Sequence, residues 1–234
     1  MKKVLRIALI LILVALTGGM VYLSMLAPII TGYAAKNLSS GVFVSGRSQE
    51  SLEQEDLNFS FIKFNRNKVD REKGEVVSRF LFWKSKAVYN EGLGCTLVRD
   101  FGQEEVLARD YPAVSLPEVN PDTLAWPAGD LVADTVPPGI DMEKLQAVMD
   151  QAFADTTGWK GTFGLTVVYK DQIVAERFRS DFTRETPFLS WSMAKSFTNA
   201  ITGLLVKEGR VDIYAPVPRP EWAGDARREI TLSN

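Results

Sequence analysis

The stretch FLSWSMAKSFTNAITGLLVKEGR, residues 188–210, decides how the chain is read. Phe197, Ile201, Leu204 and Leu205 recur at helical spacing, and Gly209 stands where a helix ends in a left-handed turn, so the spacing predicts a helix from about Ser192 to Glu208. At its start Ser192 and Lys195 lie three residues apart and share a face with Ser196 and Asn199. A serine hydroxyl is a weak nucleophile until a base takes its proton. The chain contains no histidine, so the bases at hand are Lys, Tyr or a carboxylate. Burial of Lys195 would disfavour its charged form and make a neutral amine available. The helix N-terminus adds free N–H groups and a positive dipole end near any negative charge that develops. On spacing alone, the pair reads equally well as an N-capping serine beside a solvated lysine.

Upstream, residues 162–169 and 173–178 are β-rich on either side of Lys170-Asp171-Gln172, which predicts a hairpin with a polar turn. Asp141 is a candidate N-cap for MEKLQAVMDQAFAD, where Leu145, Val148, Met149 and Phe153 follow helical spacing and Gly158 lies beyond the end. Helix, hairpin, helix in that order predicts an antiparallel sheet with helices packed on it. Residues 112–140 hold six of the eleven prolines and show no periodicity, the composition of a linker or draped loop.

Residues 37–111 read as a small β-rich region. NFSFIKF at 58–64 alternates with period two, EVVSRFLFW from Glu75 is β-rich, and residues 86–89 and 94–98 follow, so a hairpin or three-stranded meander is expected. Ser60-Phe61-Ile62-Lys63 repeats the Ser-x-x-Lys spacing, but on an alternating strand positions three apart point to opposite faces. The acidic residues within 50–56 form a helical turn or an exposed loop and carry no assigned function.

The stretch TPFLSWSMAKSFTNAITGLLVKEGRVDIYAPV, followed by PEW and ITL, resembles the first catalytic motif of the serine β-lactamase and penicillin-binding-protein superfamily. Within it, the likeness is to the class C-like branch of esterases, D-aminopeptidases and 6-aminohexanoate-dimer hydrolases. GTFGLTVVYKDQIVAERF is similar to that family's first two strands and GIDMEKLQAVMDQAFAD to its first helix, so the resemblance covers residues 138–234. It implies an α+β fold, an α/β/α sandwich whose antiparallel sheet is flanked by helices. It also implies acyl-enzyme chemistry on a small amide, ester or lactam substrate without a cofactor, Ser192 being acylated and Lys195 helping to activate it.

The family's second motif is of the Tyr-x-Asn type and its third of the Lys/His-Thr/Ser-Gly type. None of the 39 residues after Lys195 matches either, and Tyr214 is followed by Ala215 and Pro216. The expectation is an amino-terminal fragment or truncated product with an incomplete site, and a catalytically inactive sensor or binding module is the alternative. Trp191 is expected to be a buried aromatic rather than a pocket wall, and Asp212 a turn-forming side chain rather than a catalytic acid. Arg227, Arg228 and Glu229 read as a solvated charge cluster.

Composition narrows the chemistry further. The 234 residues carry 27 Lys plus Arg against 29 Asp plus Glu, so no basic field is available for a nucleic-acid backbone and no nucleic-acid partner is expected. Without histidine, a Ser-His-Asp or Cys-His apparatus and any His-containing zinc site are excluded. The single Cys95 cannot form an internal disulfide or a cysteine-only metal site, and its place in GCTLV predicts a buried thiol.

At the amino terminus Lys2, Lys3 and Arg6 precede residues 7–35, which carry no charge. That run exceeds the roughly 20 residues needed to span a bilayer core, which favours a retained membrane anchor. A cleaved signal, processed near Gly32-Tyr33-Ala34, is the alternative. The basic start places the amino terminus in the cytoplasm and the rest outside, on the periplasmic side of the inner membrane in a Gram-negative cell. Residues 1–36 are thus expected to be the anchor or signal, 37–111 the β-rich region, 112–140 the linker, and 141–234 the first part of a hydrolase domain.

Overall fold

A computed structural model describes residues 2–109, 118–154 and 161–233. The chain divides into two compact units, residues 1–187 and residues 188–234.

The first unit is built on α1 (Lys2–Phe43), one helix of 42 residues. At 1.5 Å per residue it is about 60 Å long, roughly twice the hydrocarbon core of a bilayer. Its two halves differ. The first half is strongly apolar, with a mean hydropathy of 2.5 in its best window, and its side chains are mostly exposed. In the second half Ala27, Ile30, Ala34, Leu38 and Val42 recur at intervals of three and four and are buried. The helix therefore runs on past residue 36, where the uncharged sequence ends, because this stripe packs on a sheet.

That sheet is an antiparallel meander of β1 (Arg66–Asp70), β2 (Glu75–Phe80), β3 (Trp83–Asn90) and β4 (Gly94–Val98), in that order. Val76, Ser78 and Phe80 alternate inward along β2. Val76 and Phe80 join Ile30, Leu38, Leu52 and Leu57 in the core. The meander has one strand more than the sequence pattern predicts, since RNKVD in β1 contains a single apolar residue and offers no alternation to read. Cys95 is buried on β4 as expected.

Residues 58–64 are not a strand. They form turns and a 3-10 turn at Ile62–Phe64, with Ser60 at φ 45°. Only Ile62 is buried, while Phe59, Phe61 and Phe64 stay exposed, so the period-two pattern is not the imprint of a half-buried sheet. The lysine of the second Ser-x-x-Lys sequence, Lys63, lies with its Nζ 5.3 Å from the Phe64 ring centre. No hydrogen bond joins it to Ser60 among the described residues.

The acidic stretch is the helix α2 (Gln49–Glu55), capped by Ser48, whose side chain accepts from Ser51 N. Its Leu52 packs so closely on α1 that a Cβ added at Gly41 would collide with the Leu52 side chain. After β4 comes α3 (Gln103–Leu107), and Gln103 and Lys86 both hydrogen-bond Glu75.

Of the proline-rich stretch, residues 112–117 lie outside the described residues. The remainder includes a 3-10 turn at Pro121–Thr123 and a parallel bridge between Ala125 and Leu131. The predicted helix is α4 (Met142–Phe153), with Asp141 Oδ1 accepting from Lys144 N at 3.0 Å; Gly158 lies outside the described residues. The predicted hairpin is β5 (Gly164–Tyr169) with β6 (Gln172–Phe178), turning through Lys170 and Asp171, both at positive φ.

Two arginines tie this hairpin in. Arg177 donates to Asp150 at 2.6 Å and Gln146 at 3.0 Å on α4. Arg179 donates to Glu55 of α2 at 2.9 Å. The stacked rings of Phe163 and Phe182 lie within 5.5 Å of the guanidinium carbons of both Arg47 and Arg179.

The second unit contains a 3-10 turn at Trp191–Met193, then α5 (Ala194–Lys207), stopped at Gly209 with φ 69°. A bridge between Pro216 and Thr231 and two further 3-10 turns complete it. Helices with small antiparallel sheets make the chain α+β.

Candidate active site

Ser192 sits in the middle of the 3-10 turn and Lys195 is the second residue of α5. This one-turn offset brings the two side chains together: Lys195 Nζ donates to Ser192 Oγ at 3.0 Å. Neither the 3-10 turn nor α5 has a side-chain cap. The N-cap positions are Ser190 and Met193, so Ser192 stands inside the turn rather than at a cap.

The backbone at this point is unusual. Trp191 adopts φ 44°, a left-handed conformation rare for a bulky side chain and costing on the order of 1–3 kcal/mol. Met193 N closes the turn on Ser190 O at 2.9 Å. Trp191 thus reverses the chain just before Ser192. Its side chain is 60% exposed, against the expectation of a buried aromatic.

Ser192 and Lys195 are both exposed, so Lys195 is not a buried lysine in this structure. Ser196 and Asn199 are exposed on the same helix, while Thr198 and Thr202 donate back to the carbonyls of Ala194 and Thr198. Chemically, the pair needs only a reversal of its hydrogen bond. An ammonium donates to Ser192 Oγ, whereas a neutral amine would accept the hydroxyl proton and leave an alkoxide equivalent on Ser192.

The other residues singled out in the sequence lie apart from this chemistry. Asp212 accepts from Tyr214 N at 2.9 Å and shapes a turn, and Tyr214 is exposed. Arg227 pairs with Asp225 at 2.7 Å and Arg228 with Glu229 at 3.8 Å, all at the surface. Among the described residues no group of three or more His, Cys, Asp or Glu side chains could hold a metal ion. A row of cations on the sheet of the first unit, Arg66, Arg79 and Lys84, has no counterpart in the sequence reading, because only strand register brings those residues together.

No family model, no curated protein and no solved structure matches the chain.

Proposed function

We propose that the chain belongs to a membrane-anchored, extracytoplasmic serine hydrolase related to the β-lactamases, with a small amide, ester or lactam as substrate. The observation that carries this reading is the 3.0 Å hydrogen bond between Lys195 Nζ and Ser192 Oγ at an uncapped helix entrance. In acylation Ser192 Oγ bonds to the substrate carbonyl carbon while its proton passes to the Lys195 amine. The tetrahedral oxyanion develops near the positive dipole end of α5. Collapse expels the amine or alcohol, which takes up the proton, and water then cleaves the acyl-enzyme to free acid and serine.

Retention of the anchor is supported by the packing of α1. Gly32, Ala34 and the neighbouring Ile30 and Thr31 are buried against the sheet, so processing near Gly32-Tyr33-Ala34 would remove part of the core. With Lys2, Lys3 and Arg6 at the cytoplasmic end, the positive-inside bias directs the residues that follow the span to the outer side.

The exposure of Ser192 and Lys195 favours a second reading, a binding or sensing module that keeps the nucleophile without turnover. A fluorophosphonate probe and a fluorescent penicillin separate the two. Labelling of the wild type that vanishes in Ser192→Ala is expected. Release of product beyond one equivalent supports the hydrolase, and a single stable equivalent supports the module. Labelling that survives Ser192→Ala, or no labelling at all, sinks the assignment of Ser192.

A further inference from the structure

We infer that the membrane-side rim of the meander carries a binding site for the phosphate of an anionic phospholipid; this rests on the reading of α1 as a retained membrane span. Three independent observations lead there.

The first is register. Arg66 on β1 faces Arg79 on β2, and Arg79 faces Lys84 on β3, so three cations stand side by side across three strands on one face. Like charges directly opposite each other repel. No ion pair engages any of them among the described residues, while the neighbouring Lys86 is paired with Glu75 at 2.9 Å. Such a row is relieved by an anion from outside the chain.

The second is a cavity of about 450 Å³ whose lining includes Arg79, Lys84, Arg99, Trp83, Ser85 and Pro28. It forms because β4 pairs with β3 only from Lys86 onward, which leaves the β3 edge at Trp83 to Ser85 uncovered. The volume suits a phosphate with its glycerol rather than a single ion. Arg99, just past the end of β4, joins Arg79 and Lys84 in the lining beside the paired Lys86, and Arg66 continues the row outside the cavity.

The third is depth. Twenty residues counted from Ile7 span about 30 Å and reach Leu26. The cavity begins one turn later, at Pro28, Thr31 and Gly32, the level of the headgroups. The strands confirm the orientation of the rim. Thr31 Oγ1 lies 2.7 Å from Ser85 Oγ, and Phe43 stacks on Tyr89, so β3 runs alongside α1 in the same direction and its Trp83 end lies toward the membrane.

At that end the β2–β3 turn exposes Leu81 by 68% and Phe82 by 70%, and Phe61 and Phe64 are exposed nearby, where Asn65 reaches the carbonyl of Ile30. Aromatic side chains ringed by Arg and Lys at the end of an apolar helix have the composition of an interfacial belt. This also accounts for the NFSFIKF segment: Phe59, Phe61 and Phe64 stay exposed without forming a strand, and their place is at the lipid surface.

The test uses the full chain in nanodiscs of phosphatidylcholine alone and of phosphatidylcholine with phosphatidylglycerol, and the detergent-solubilised chain titrated with short-chain phosphatidylglycerol or inorganic phosphate. Native mass spectrometry should show a retained phosphatidylglycerol, with affinity falling roughly hundredfold in Arg79→Gln/Lys84→Gln/Arg99→Gln. Brominated lipid should quench the Trp83 contribution, defined by difference from Trp83→Phe.

Equal retention of phosphatidylcholine, retention undiminished in the triple variant, or no retention overturns the site. Saturation by inorganic phosphate at the same concentration assigns the cavity to a free phosphate compound and overturns the lipid source. Failure of the anchor reading would look different: an intact mass lacking the first residues of α1, or release of the chain from membranes by alkaline carbonate.

Discussion

At the residue scale the Ser192–Lys195 pair shows how little local structure is needed to bring a hydroxyl and an amine together. A spacing of three residues across the junction of a 3-10 turn and a helix is enough to give a 3.0 Å contact. If Lys195 is the proton acceptor, Lys195→Met should lower the rate of Ser192 labelling by about 10²- to 10⁴-fold, with binding of the probe little changed. Stopped-flow labelling kinetics measure it. Lys195→Arg should fail equally, because a guanidinium keeps its proton.

A second residue-scale effect concerns pH. The hydrogen bond from Lys86 holds the Glu75 carboxyl below its ordinary range, against the opposing effect of burial and with Gln103 adding to the lowering. A depressed folded value means that the contribution to stability is present above the unfolded value, about 4.3, and is lost as pH falls through the folded one. Glu75→Gln should therefore melt below the wild type at pH 7, and the gap in Tm should close as the pH is lowered through the carboxylate range. A gap that persists at low pH would show that Glu75 acts through packing.

At the element scale, turn chemistry and pattern explain most of what forms. The β5–β6 turn places both Lys170 and Asp171 at positive φ, 48° and 58°. Those conformations suit Asn and Gly, so Asp171→Gly should stabilise the first unit by about 0.5–1 kcal/mol, measurable by urea denaturation. The meander between Glu75 and Val98, the Asp141 cap and the Gly209 stop were legible in the sequence because each depends on neighbours within a few residues. β1 and residues 58–64 were not. β1 is recruited by pairing with β2 rather than by its own composition, and the aromatic alternation at 58–64 signals exposure at a surface rather than a sheet face.

At the scale of the whole molecule, α1 is both the candidate anchor and the spine of the first unit's core. Deletion of residues 1–25 should leave the meander folded, with its near-UV circular dichroism retained. Deletion of residues 1–35 removes Ala27, Ile30, Ala34 and Ala35 from the buried face of α1 and should abolish that signal, since losing these buried apolar side chains costs several kcal/mol against a marginal total. Retention of structure after the longer deletion would separate anchor from core.

By itself the sequence determined which side chains these 234 residues can bring to chemistry. The absence of histidine, a serine and a lysine three apart, and an uncharged amino-terminal run are facts of composition and short spacing. They fix which proton acceptors exist and where an apolar helix must lie. Only the tertiary structure decided that this helix continues into the core, that Arg66, Arg79 and Lys84 line up, and that Arg47 and Arg179 bracket Phe163 and Phe182. Those juxtapositions join residues far apart in the chain through strand register and packing, and no local periodicity records them.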